Sequence, residues 1–366
     1  MNALRPTLVL PLLLATATFS PLASAGTNQY WNPGGDGIWG TSPGDKNWNT
    51  TPGAPIANTF WPNSLDDIAV FQDTLGGIVT VFDPIDTAGI RQTGADYTIN
   101  AGTITLVPDA GGIAPYIDVQ SGTLKIDSQL AGSNGLIKDG TMDLVLSGSN
   151  TYTGTTSLEE GTLTLTGDLS STTVKIAAGT TFTDQSGGLA DGTALTNQGD
   201  LTVIQAETVR TYAQSGDLNG PGSLTVTNGA TLSGGTVAGT LLGDTTVSDS
   251  VVISGTTGGG TLTLTEGRLQ IAGTVNNPLV DVQGRHSRLS LTGDNIADTS
   301  ALSIQSGGRL DMIGDDTVDT ASIAGTVSDA GKSILTASTY TLWDLSLIHI
   351  SEPTRQYCQS RMPSSA

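Results

Sequence analysis

The sequence predicts an all-β fold, a parallel β-helix (solenoid) with rungs of about 20 residues, and three observations predict it. Gly supplies 48 of 366 residues, about 13% against a usual ~7%, which favours a chain that turns often. Aromatic residues are 5% and charged residues 13% of the chain, so neither a helical bundle nor a charge-rich disordered chain fits the composition. A short unit of Gly, a polar residue, then apolar, any, apolar recurs along the sequence. Repetition at a fixed period is the mark of a solenoid.

The unit stands at Gly102 (GTITL), Gly122 (GTLKI), Gly140 (GTMDL), Gly161 (GTLTL), Gly199 (GDLTV), Gly222 (GSLTV), Gly260 (GTLTL) and Gly308 (GRLDM), with weaker copies at Gly179 (GTTFT), Gly239 (GTLL) and Gly267 (GRLQI). The glycines at 102, 122, 140, 161, 179 and 199 follow one another by 20, 18, 21, 18 and 20 residues. In each unit the Gly turns the chain, and the alternation that follows places two side chains inward. One such rung cannot bury its own apolar face, so its stability comes from neighbouring rungs. A sandwich of short antiparallel strands is the rival architecture, but its usual strand spacing of about 8 to 12 residues fits these copies less well.

The elements follow in order. Residues 1–25 read as a secretory signal peptide: Arg5, an apolar run from Leu8 to Leu14, then Ala23-Ser24-Ala25 at the expected cleavage site. Pro6, Pro11 and Pro21 interrupt that segment, which argues against a membrane-spanning helix of roughly 20 apolar residues. Residues 26–86 hold Trp31, Trp39, Trp48 and Trp61, four of the five tryptophans, and are expected to form an N-terminal cap. Large aromatics close the open end of an apolar column within a short segment. A carbohydrate-binding aromatic platform is the alternative, but turns such as Pro33-Gly34-Gly35 and Pro52-Gly53 suit packed loops better than a flat face. Residues 87–344 carry the β-helix repeats.

After Asp344 the Gly/Thr pattern stops. Residues 345–366 begin Leu345-Ser346-Leu347-Ile348-His349-Ile350-Ser351-Glu352-Pro353-Thr354-Arg355, which resembles the in-frame translation of a transposon-end sequencing adapter, and they are expected to be non-native. Cys358 and His349 belong to that tail, leaving His286 as the one histidine and no cysteine elsewhere. Disulfides, cysteine metal sites and thiol catalysis are then not expected in the repeats.

The formal charge is −20, from 14 basic and 34 acidic residues, and the basic residues are scattered singly along the sequence. Nucleic acid is therefore not an expected partner, because neutralising phosphates takes a basic patch. The acidic excess suits a long soluble surface.

No catalytic, cofactor-binding or metal-binding residues are assigned. One Gly-x-Ser-x-Gly match exists, Gly40-Thr41-Ser42-Pro43-Gly44, but it sits in a turn-rich loop and not between a strand and a helix, and His286 lies far along the chain. The acidic pairs Asp66-Asp67, Glu159-Glu160 and Asp315-Asp316 invite comparison with the paired carboxylates of glycoside hydrolysis. Adjacent residues on a strand face opposite ways, however, so these read as turn residues. Gly34-Gly35-Asp36-Gly37 is half of a calcium-binding nonapeptide without its repeat, which leaves loose calcium binding by loops open. His286, within Gly284-Arg285-His286-Ser287-Arg288, has no second His or Cys for zinc and reads as a surface loop residue.

One stretch is more specific. Gly135-Leu136-Ile137-Lys138-Asp139-Gly140-Thr141-Met142-Asp143-Leu144-Val145-Leu146-Ser147-Gly148-Ser149-Asn150-Thr151-Tyr152-Thr153-Gly154-Thr155-Thr156, continuing through Glu160-Gly161-Thr162-Leu163, resembles the autotransporter-associated β-strand repeat. The upstream part, with Tyr30-Trp31, Trp39, Asn47-Trp48 and Asp66-Asp67-Ile68-Ala69-Val70-Phe71, is similar to the start of many such passengers. The strong resemblance covers residues 29 to 167, while residues 168 to 344 share the family's composition and rung pattern.

The resemblance implies a right-handed β-helix threaded outward through a C-terminal outer-membrane barrel and displayed on the surface of a Gram-negative cell. No succession of ten-residue amphipathic strands with aromatic girdles is read here, and the adapter-like tail would explain that as truncation. The expected function is an exported, surface-displayed structural or adhesive passenger without catalysis. Expected partners are host or neighbouring-cell surface molecules or glycans, and its own barrel if the protein has one, with no membrane insertion by this segment. The alternatives are a β-helix polysaccharide lyase or hydrolase, a secreted β-helix with a different C-terminal anchor, and a scaffold carrying a functional domain elsewhere.

Overall fold

The structure, a computed structural model, describes residues 27–32, 35–54, 57, 59–329 and 333–343. The predicted signal peptide and the adapter-like tail lie outside the described residues. Forty short strands and no helix make up the described chain. Almost all the strands pair in parallel with strands one rung away. Leu144 pairs with Leu163, Leu163 with Phe182 and Phe182 with Leu201, each 19 residues on. The fold is a parallel β-solenoid of about 14 turns.

Each rung is a three-sided loop. The first side of one rung is Leu136–Asp139, the second Asp143–Leu146 and the third Ser149–Asn150. The next rung repeats them as Thr155–Leu158, Thr162–Leu165 and Asp168–Leu169. Fifteen strands stack as the second face. In the C-terminal half the third and first sides merge, because Thr240–Val247, Thr256–Leu264 and Asp316–Ile323 run round the corner between them as single long strands. The bend falls where Gly243 pairs with Gly259. Both have left-handed backbone, at φ 124 and 79, a region that L side chains enter at a cost.

The alternation expected of the repeat unit is what fills the interior. In Thr162–Leu165 the leucines are buried and the threonines half-buried, and the same in-out order holds for Thr103–Leu106, Thr123–Ile126 and Ser223–Val226. The units do not all open the same side. Gly122, Gly140, Gly161, Gly179 and Gly199 lead into the second face, whereas Gly102 precedes a third-side strand and Gly260 lies inside the long strand Thr256–Leu264. From Gly122 to Gly199, those that lead into the second face are spaced by 18 to 21 residues.

The Trp-rich segment is built into the same column. Thr27–Trp31 pairs in parallel with Asp67–Phe71, and Gly37–Trp39 with Gly77–Val81. All four indoles are at most 1% exposed. Trp48 lies 5.1 Å from Trp31, 5.1 Å from Trp39 and 4.9 Å from Trp61, ring centre to ring centre, in edge or tilted geometry. Such contacts add to the area these rings bury. An aromatic platform for sugars is therefore not formed by these four rings, which face inward.

The column is not wholly apolar. Lys138 is fully buried, and its ammonium donates to the carbonyls of Asp139, Gly140 and Glu160 at 2.9, 2.6 and 3.0 Å. Burial pulls its pKa down from 10.5 to about 8 against the pull of nearby carboxylates. Asn150 accepts from the Leu130 amide and donates to the carbonyls of Gly148 and Asp168, so one side chain ties three rungs. Tyr152, Thr156 and Ser171 form a buried hydroxyl chain with links of 2.8 and 2.5 Å. Glu207 accepts from the Leu189 and Thr208 amides, and burial beside the Asp184 carboxyl raises its pKa well above the usual glutamate range. Asp316, 1% exposed, accepts from the amides of Asn295 and Ile296 at 2.9 and 3.2 Å.

Two measurements check this interior. Leu163→Ala leaves a cavity between Leu144 and Phe182 and should lower stability by about 2–5 kcal/mol in urea unfolding, while the outward neighbour change Thr164→Ala should stay within about 0.5 kcal/mol. Equal losses would contradict the assigned faces. Burial raises the Asp316 carboxyl from 3.8 to about 6, so between those values the folded chain keeps a proton that the unfolded chain releases. That contribution is full below the lower value and is lost as pH rises through the upper one. Asp316→Asn keeps an oxygen for both amides and removes the ionisation. It should match the native chain in acid and exceed its stability near neutral pH by on the order of 1–3 kcal/mol; parallel pH profiles for the two chains would count against the assignment.

Candidate binding surface

Most of the acidic residues singled out in the sequence serve the backbone. Asp67 accepts from the Ser64 amide at 2.8 Å and from Gln29, while Asp66 faces the other way and accepts from the Ala110 amide at 2.5 Å. Asp36 accepts from Ile78, and Asp315 from Ile334, each at 2.8 Å. Glu159 accepts from the Ser157 hydroxyl at 2.5 Å, and Glu160 lends its carbonyl to Lys138. These pairs do not face one cleft.

Bonds between successive rungs account for part of the acidic excess. Asp96 accepts from the Thr123 amide at 2.7 Å, Asp217 from Thr236 at 2.7 Å, and Asp244 from Thr261 at 2.8 Å. Each bond joins one rung to the next, from a turn at Asp96, from the first residue of a strand at Asp217 and from beside the bend of Thr240–Val247 at Asp244. Hydrogen bonds to a charged acceptor are worth more than neutral ones. The sequence showed the charge but not this use.

The remaining candidates stay apart. Ser42 is exposed in the turn between Gly37–Trp39 and Trp48–Asn49, where Thr41 donates through its amide and hydroxyl to Asp83 at 2.8 and 2.9 Å. Those two bonds hold the Asp83 carboxyl below its usual range. His286 is exposed in the turn before Arg288–Leu291, many rungs away. Gly34 lies outside the described residues. Among the described residues no group of three or more His, Cys, Asp or Glu is placed to hold a metal ion, and no helix is long and apolar enough to cross a membrane.

The register brings together what the sequence spreads out. Arg268 pairs with Arg288 and Arg288 with Arg309, on three consecutive second-face strands. In the lane beside them Gln270, Ser290, Asp311 and Ser328 are likewise in register. Asp311 bonds the Nε of both Arg288 and Arg309, the latter at 2.7 Å, and Arg309 also reaches the Ser328 hydroxyl at 3.3 Å. A groove of about 170 Å³ runs along these residues. Sequence separations of 20 and 21 residues carry the signal, but it becomes readable only once the rung register is known.

Comparison with known proteins agrees with this architecture. The passenger-associated-transport-repeat model matches residues 136–165, the stretch that holds Lys138, Asn150, Tyr152 and Thr156. The chain is 31% identical over 214 residues, 57% of its length, to the adhesin BmaC autotransporter of Brucella suis biovar 1 (strain 1330), of which it spans 5%. No solved structure matches. This likeness places the chain among proteins exported to the surface of, or outside, a Gram-negative cell. Residues 136–165 thus match the passenger-associated-transport repeat, and the solenoid that carries them is similar over part of its length to an adhesin autotransporter.

Proposed function

We propose that this chain is a non-catalytic, adhesive passenger segment that binds surface molecules or glycans of host or neighbouring cells, with its own outer-membrane barrel as a further partner where the whole protein has one. The likeness to an adhesin autotransporter carries the reading. The architecture supports it: fifteen stacked second-face strands at about 4.8 Å per rung give a column roughly 70 Å long. Repeated rungs expose parallel lanes of side chains to a partner and need no closed pocket. Residues 26–86 serve in this reading as the cap that closes one end of the column, with the four inward indoles as the plug.

Beads coated with the full chain should attach to cultured animal cells or to neighbouring bacteria several-fold more than beads coated with albumin. Attachment no better than albumin on every surface tried would remove the adhesive reading. Incubation with polygalacturonate should release neither unsaturated products nor new reducing ends, and steady release of either would overturn the non-catalytic part.

A further inference from the structure

The stacked arginines are the feature that stability alone does not explain. Like charges directly opposite on neighbouring strands destabilise a sheet. Here Arg268, Arg288 and Arg309 occupy one outward lane on successive rungs, at about 4.8 Å per step. They are three of the 14 basic residues in a chain of charge −20. Asp311 bridges Arg288 and Arg309, while Arg268 makes no ion pair among the described residues. Side-chain exposures of 46% for Arg288 and 48% for Arg309 leave much of each guanidinium in solvent.

The geometry also sets the direction in which these groups bind. Asp311 takes the Nε of each neighbour, which fixes the plane of each guanidinium and leaves the terminal nitrogens of Arg288, and the one of Arg309 that does not reach Ser328, to other acceptors. A guanidinium pairs best with a planar or branched oxyanion such as carboxylate or sulfate. Gln270 and Ser328 flank the lane with polar groups suited to hydroxyls, and Ile313, 61% exposed, gives an apolar edge.

We propose that Arg268, Arg288 and Arg309 form a binding ladder for a linear acidic polysaccharide, lying along the column with one carboxylate or sulfate near each rung. A regular polymer suits a regular ladder, and the flanking polar and apolar groups suit sugar hydroxyls and ring carbons. A nucleic acid fits less well. Its charge is denser, so the acidic column repels it more, and the groove residues Arg268, Arg288, Ser290, Arg309, Asp311 and Met312 include no aromatic ring for base stacking. This inference deepens the adhesive reading and rests on it for access to such a polymer.

The test uses the full purified chain, with polygalacturonate and dextran sulfate as probes and neutral dextran as the control, followed by titration calorimetry. At least one charged polymer should bind and dextran should not, and the better probe identifies the anionic group. Arg268→Gln disturbs no ion pair and should weaken binding roughly tenfold, the loss of one charge-assisted contact. Adding Arg288→Gln and Arg309→Gln should abolish binding. The combined Lys46→Gln, Lys125→Gln and Lys175→Gln variant removes the same charge elsewhere and should bind as the native chain does. The ladder is overturned if neither polymer binds, if the lysine variant loses as much as the arginine variant, or if a single-stranded DNA oligonucleotide binds as well as the glycan. Bead attachment that survives the triple arginine change overturns the ladder and leaves the adhesive reading standing. Glycan binding by a chain whose beads never attach supports the ladder and removes the adhesive reading.

Discussion

Every other feature of this molecule depends on parallel pairing in register between rungs. A strand of four residues buries two apolar side chains and has no independent stability. Stacked on an identical neighbour, it adds to a continuous column in which Leu144, Leu163, Phe182 and Leu201 lie one above another. A slip of one residue would turn all of them outward. The same register that stacks leucines inside also stacks whatever stands outside, so surface lanes are a by-product of core packing.

Polar groups hold the register where apolar contact cannot. At turns, strand starts and bends, aspartates accept from backbone amides of the following rung. Inside, Lys138 gathers three carbonyls and Asn150 ties three rungs. These groups specify how far each rung is displaced from the next, which the non-directional hydrophobic term does not. The matched repeat at residues 136–165 is thus a set of structural ties, and its recognition identifies the scaffold more than any ligand.

The sequence made the scaffold legible and left most of the polar detail hidden. Copies of Gly-Thr-Leu-Thr-Leu announce alternation and a period near twenty, because both follow from local backbone preference. The merging of two sides in Thr240–Val247 and Thr256–Leu264 was not readable, since a bent strand and two short strands share the same composition. Asp316 reads as a turn residue, and nothing in the local sequence marks Lys138 or Glu207 as inward-facing. The arginine ladder failed for a different reason. Scattered in sequence, Arg268, Arg288 and Arg309 become neighbours only through rung lengths of 20 and 21 residues, and those lengths vary along the chain.

Within residues 87–344 one rung is longer than its neighbours. Tyr97 pairs with Leu124, 27 residues on, and the surplus lies in the loop between Thr103–Leu106 and Tyr116–Val119. That loop closes on itself through Asp109, which accepts from the Ile113 amide and offers its own carbonyl to Gly112. The strands on either side keep their pairing with adjacent rungs. A corner of this column therefore accepts a guest segment without disturbing the ladder, and the entropy of closing a longer loop grows only slowly. The scaffold is in that respect a carrier for grafted peptides, held at fixed heights along its axis.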